Sequence, residues 1–104
     1  MLKFHHMGLP TDDKQPEEMY VEATKVWVTD PDDHPYKVEF LRYESDSPVT
    51  GPIRDLPHIC WETDDYKRDI EGKEVILDPF RPDDTRWVVF VIENGIAVEY
   101  MQYD

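Results

Sequence analysis

Leu56-Pro57-His58-Ile59-Cys60-Trp61-Glu62-Thr63-Asp64-Asp65 decides how this chain is read. Alternation puts His58, Cys60 and Glu62 on one face of a strand and Ile59, Trp61 and Thr63 on the other, and Thr-Asp-Asp signals a helix start. The same plan occurs at the amino terminus. Phe4-His5-His6-Met7-Gly8-Leu9-Pro10-Thr11-Asp12-Asp13 also carries histidine in an apolar stretch that ends in Thr-Asp-Asp. Two similar halves are therefore expected on either side of a break before Leu56.

Working outward, Leu2 to Leu9 alternates as a first strand, with His6 on one face and His5 on the other; alternation does not choose between them. Pro16 followed by two glutamates predicts a short helix within residues 10–22. Thr24–Thr29 and Tyr36–Tyr43 read as strands around an Asp30–Pro35 turn, which makes His34 a turn residue. Residues 44–55, rich in Ser, Asp, Pro and Gly, read as a surface connection. Thr63 or Asp64 is expected to cap a helix to about Glu71, with Gly72 as its left-handed stop. Lys73–Asp78 reads as a strand closed by Pro79 and an Arg81–Asp84 turn. Trp87–Glu93 and Ile96–Tyr103 form a hairpin whose Asn94-Gly95 tip favours a type I′ turn. That turn sets Glu93 opposite Ile96 and Phe90 opposite Glu99. Glu99 then shares a face with Val88, Phe90, Ile92, Ala97, Met101 and Tyr103, costly company for a carboxylate without a function.

The chain's 104 residues suit one domain with one core. Eleven basic against 24 acidic residues give a net charge of −13, which disfavours nucleic acid and anionic membranes as partners. The single cysteine, Cys60, excludes an intrachain disulfide. No apolar run approaches a membrane span, and Met1-Leu2-Lys3-Phe4 leads into a strand, so a cytoplasmic protein is expected.

Four local sequences resemble the vicinal oxygen chelate superfamily, which includes glyoxalase I, bleomycin-resistance proteins, methylmalonyl-CoA epimerase and extradiol dioxygenases. They are His6-Met7-Gly8-Leu9, Val38-Glu39-Phe40-Leu41, His58-Ile59-Cys60-Trp61-Glu62 and Gly95-Ile96-Ala97-Val98-Glu99-Tyr100. The resemblance implies an α+β fold of two βαβββ modules whose curled mixed sheet encloses a cleft. Module one would span about residues 1–46, a linker 47–55 and module two 56–104. The metal ligands implied are His6, Glu39, His58 and Glu99, with Met-Gly favouring His6 over His5. Imidazole and carboxylate suit Zn, Ni, Co, Fe or Mn.

The resemblance further implies lyase or isomerase chemistry through an enolate-type intermediate on a small oxygenated substrate, with Glu99 as the base. Phe90 and Met101 would keep water from it and raise its basicity. Cys60 would line the cleft as packing. A homodimer is expected. The alternative is a metal-free, drug-sequestering protein of the bleomycin-resistance type, in which Trp27, Trp61, Trp87 and Tyr103 receive a cationic ligand. The first module departs from the pattern. His6 and Glu39 lie 33 positions apart against 41 for His58 and Glu99, and the shortfall lies where the first helix belongs.

Overall fold

The computed structural model describes residues 2–104; Met1, with which the expected first module begins, lies outside them. Eight strands and a few short helices make the described chain sheet-rich, with parallel and antiparallel pairings mixed. It divides into two compact units, one of His6–Pro57 and one of His58–Asp104 together with residues 2–5.

The amino-terminal unit is built on β1 (Lys3–Pro10), β2 (Met19–Val21), β3 (Val26–Val28) and β4 (Val38–Tyr43), in the order β2-β3-β4-β1. β1 runs parallel to β4, with Gly8 opposite Glu39 and Pro10 opposite Leu41. β3 pairs antiparallel with both β2 and β4. Between β3 and β4 a 3-10 turn, Pro31–Asp33, is capped by the Asp30 carboxylate, which accepts from the Asp32 amide at 2.9 Å. His34 follows it, and its Nδ1 accepts from the Tyr36 amide at 3.0 Å, as suits a turn residue.

The short helix expected after Pro16 does not form. Pro16 and Glu17 make a turn, with Glu17 at φ 58°, and β2 begins at Met19. The segment has no apolar stripe to bury, and its strongest tertiary contact pulls it flat. Glu18 takes both Arg42 donors, at 2.9 and 2.8 Å. Arg42 also lies over the Trp27 ring, Trp27 packs at a tilt against Tyr20, and its indole N–H donates to Glu44 at 2.7 Å. A ladder of aromatic rings and ions thus covers this sheet face without a helix.

Arg42 holds the Glu18 carboxyl below the ordinary carboxylate value of 4.5. A lowered folded-state value stabilises the fold above that pH and is lost as the pH falls through and below it. Denaturant unfolding from pH 7 to pH 3 should therefore show Glu18→Gln less stable than the parent at neutrality, with the gap closing in acid.

Residues 44–55 are more than a surface connection. They include the short helix α1 (Pro52–Asp55), and Val49 and Ile53 are buried. The Ser47 hydroxyl donates to the Thr24 carbonyl and accepts the Val49 amide, which pins the loop under the β2-β3 turn.

The carboxy-terminal unit holds β5 (His58–Glu62), α2 (Tyr66–Asp69), β6 (Glu74–Asp83), β7 (Arg86–Glu93) and β8 (Ile96–Tyr103), in strand order β5-β8-β7-β6. β5 is parallel to β8, and the other neighbours are antiparallel. Tyr66, Val89, Val91, Val98 and Tyr100 form the core between α2 and the sheet, with Trp61, Ile70 and Trp87 at its margin.

The hairpin register is the one expected, with Glu93 opposite Ile96 and Phe90 opposite Glu99. Asn94 and Gly95 both take positive φ, 52° and 78°, as a type I′ turn requires. Gly72, at φ 75°, ends the turn after α2. That helix is shorter than expected and is capped by Asp65, whose carboxylate accepts the Arg68 amide. Thr63 instead bonds the Asp69 side chain.

β6 also differs from expectation, running through Pro79 and Pro82 to a turn at Asp84 and Thr85. It pairs only with β7 within this unit and carries three register shifts, so the prolines cost few ladder bonds. No helix among the described residues is long and apolar enough to cross a membrane.

Candidate metal centre

Each unit brings one histidine and one glutamate together, and does so by the same register. In the amino-terminal unit, β1 alternation puts His6 and Gly8 on one face, and Gly8 is opposite Glu39 on the parallel strand β4. The glutamate is therefore a diagonal neighbour of the histidine, on the same face. In the carboxy-terminal unit, His58 and Cys60 share a face of β5, and Cys60 is opposite Glu99 on β8. In both, the carboxylate stands opposite the residue two beyond the histidine.

The side chains meet accordingly. His6 Nε2 lies 3.3 Å from Glu39 Oε1, and His58 Nε2 lies 3.1 Å from Glu99 Oε1. His6 is 3% exposed, His58 1% and Glu99 8%; Glu39 is half-buried. Two ligands at right angles on one ion, each about 2.1 Å from it, would stand about 3.0 Å apart. Both pairs have close to that spacing, and His6, Glu39 and His58 are of a kind that could hold a metal ion.

Of the two adjacent histidines, the Met-Gly that follows favours His6. His5 Nε2 lies 3.4 Å from the Tyr103 hydroxyl, and His5 also belongs to a second group, with His6 and Cys60, of a kind that could hold a metal ion. His6 is the one beside a carboxylate.

Around His58 the carboxy-terminal unit supplies an apolar wall. The Phe90 ring stands edge-on to the imidazole with centroids 5.1 Å apart. Cys60, Val88 and Met101 form a fully buried cluster on this same face, backed by Phe80. Cys60 is a free, buried cysteine beside the pair. Phe90 and Met101 lie on Glu99's face, as the hairpin register requires.

The four aromatics expected to receive a cation in the alternative reading each have a neighbour of their own. Trp27 carries Arg42, Trp87 carries Arg81 at 5.3 Å, Trp61 meets the Phe4 edge, and Tyr103 faces His5.

One feature was not legible in the sequence. The amino-terminal unit has a pocket of about 130 Å³ lined by Pro10, Thr11, Asp12, Leu41, Tyr43 and Arg54. Arg54 reaches it from α1, with its guanidinium 5.8 Å from the Tyr43 ring centroid. A lone arginine in a proline-rich connection gives no periodic signal, so its approach to β4 follows only from burial of Val49 and Ile53.

No protein-family model matches this chain, and no curated protein does. Among solved structures the chain is similar to the crystal structure of hypothetical protein BH1468 from Bacillus halodurans C-125. The identity is 16% and the TM-score 0.71, over 99% of this chain and 95% of that one. A likeness at that identity concerns fold alone, and the shared mixed-sheet fold is compatible with the vicinal oxygen chelate type.

Proposed function

We propose that this chain is a divalent-metal-dependent protein of the vicinal oxygen chelate type, with His6, Glu39, His58 and Glu99 as the ligands of one transition metal. It acts on a small oxygenated substrate by lyase or isomerase chemistry. The observation that carries the reading is the repeated register, a histidine and a glutamate brought to one face by the same two-residue offset in both units. Two imidazoles and two carboxylates make a borderline-hard donor set that suits Zn, Ni, Co, Fe or Mn.

When bound, the metal supplies Lewis acidity for the oxyanion that develops as a neighbouring carbon loses its proton. The chain's own groups do the rest. Glu99 takes and returns the proton, while Phe90 and Met101 keep bulk water from its carboxylate. His58, held edge-on by Phe90, presents Nε2 in a fixed orientation. Homodimerisation and a cytoplasmic setting belong to the same reading.

Elemental analysis of tag-free protein purified without chelator tests it. About one equivalent of a transition metal is expected, falling to trace in the His58→Ala, Glu99→Ala double variant, with circular dichroism confirming that the variant is folded. Metal-free parent protein that binds cationic aromatic drugs would instead establish sequestration.

A further inference from the structure

The pocket beside Tyr43 and Arg54 lies in the amino-terminal unit, on the same strand face as the His6–Glu39 pair. Along β1, His6, Gly8 and Pro10 alternate onto one side; along β4, Glu39, Leu41 and Tyr43 do the same, with Pro10 opposite Leu41. Pro10, Leu41 and Tyr43 line the pocket. It therefore begins two residues beyond Glu39, about 7 Å along the strand, and reaches Tyr43 at about 13 Å.

Charge makes this pocket unusual. In a chain of net charge −13, four of the five arginines are bound by carboxylates: Arg42 by Glu18, Arg68 by Asp64 and Asp69, Arg81 by Asp104, and Arg86 by Asp83. Arg54 is the exception; among the described residues it has no ion-pair partner, although acidic side chains outnumber basic ones by more than two to one. Its guanidinium is half-buried and is held over the Tyr43 ring, which orients the fork without neutralising it. Thr11 adds a hydroxyl: its oxygen accepts the Asp13 amide at 3.1 Å, which leaves the O–H free to donate. Asp12, the one carboxylate in the lining, is exposed, and water screens it.

We infer that Arg54, with Thr11, binds the terminal oxyanion of the substrate whose oxygen pair meets the proposed metal, so that the substrate class is a compact acid or phosphate ester. This rests on the metal reading for the position of the reactive end, and on the pocket alone for the anion. Counted from the first oxygen-bearing carbon to the central atom of the terminal anion, a chain of roughly five to eight atoms, with the reach of the Arg54 side chain, joins the two at strand spacing. A cationic ligand would meet Arg54 unfavourably.

Calorimetric titration of the protein with matched probes, in the presence and in the absence of added divalent metal, tests the inference. 2-Oxoadipate is set against 2-oxohexanoate, and dihydroxyacetone phosphate against dihydroxyacetone; members of each pair share the oxygen pair and differ in the terminal anion. The parent should bind at least one anionic member about tenfold to a hundredfold more tightly than its neutral-ended partner. The diacid or the ester shows which oxyanion is preferred. Arg54→Gln should abolish the difference while leaving the neutral-ended probes unchanged, and Arg54→Lys should restore it in part.

Equal affinities within both pairs, or a preference that survives Arg54→Gln, would overturn it. Metal binding, measured separately with the metal alone, keeps the two proposals apart. A chain that binds no metal yet shows an Arg54-dependent preference upholds the anion pocket and refutes the metal reading. A chain that binds metal without such a preference does the reverse.

Discussion

Glu99→Gln is expected to slow proton exchange at the carbon beside a substrate carbonyl by about 10²- to 10⁴-fold, the usual contribution of a positioned general base. The measurement is deuterium incorporation from heavy water into 2-oxoadipate or dihydroxyacetone phosphate, followed by NMR with metal-loaded protein. Glutamine keeps the length and one oxygen of the side chain, so the 3.1 Å approach to His58 and the contacts with Phe90 and Met101 have a near-isosteric replacement. The effect should therefore fall on the rate far more than on stability. Glu39→Gln is the informative comparison, since Glu39 has the same relation to its histidine but a more exposed carboxylate. A ligand that is not the base should weaken metal retention at least as much while costing the exchange step less. Equal and large losses of rate at fixed metal occupancy in both variants would remove the assignment of the base to Glu99.

Tyr100→Ala is expected to cost about 3–5 kcal/mol of folding stability, in the range for truncating a large buried aromatic. Tyr100 is 2% exposed, and its ring packs with Tyr66, Val89, Val91 and Val98 between α2 and the sheet. Its hydroxyl is satisfied twice, accepting from Lys73 at 2.7 Å and donating to Glu93 at 2.8 Å. Tyr100→Phe should therefore cost only about 1 kcal/mol, because Lys73 and Glu93 still meet at 3.2 Å after the hydroxyl is gone. Urea unfolding of the three proteins separates ring from hydroxyl.

Alkaline pH adds a signature. Burial first, and Glu93 besides, push the Tyr100 hydroxyl above its ordinary value of 10.0, against the opposing pull of Lys73. Lys73 is itself raised, chiefly by its hydrogen bond to Tyr100. Both groups hold protons in the folded chain that the unfolded chain releases, so stability is present below pH 10 and falls above it. That fall should be shallower in Tyr100→Phe. An unchanged alkaline limb would mean that the hydroxyl is not coupled to folding.

How much of this the sequence disclosed depends on the range over which each feature is set. The Asn94-Gly95 hairpin was readable to the residue, because a two-residue turn dictates register locally. That His6, Glu39, His58 and Glu99 lie inside strands was readable, since strand alternation is short-ranged. That His6 meets a carboxylate was not, because it depends on the pairing of Gly8 with Glu39 on another strand, of which alternation within β1 says nothing.

The missing helix after Pro16 fails for a related reason. Helix signals at Pro16 and two glutamates are local, but Glu18 is claimed by Arg42, 24 positions later. Pro79 misled in the opposite sense; it ends a strand when both edges need donors, and β6 in its unit needs only one. Arg54 was invisible as a site residue because its environment comes from a loop folded over by Val49 and Ile53.

The equal offset in the two units has one more consequence. Around it the halves differ: one covers its sheet with α2 and the other with an aromatic ladder, and Gly8 stands where Cys60 does. What they hold in common, besides a histidine-bearing strand that ends in Thr-Asp-Asp, is a displacement of two along a strand. Such a rule is carried by geometry and has almost no alphabet. Either covering can therefore change without moving the histidine and glutamate that it backs.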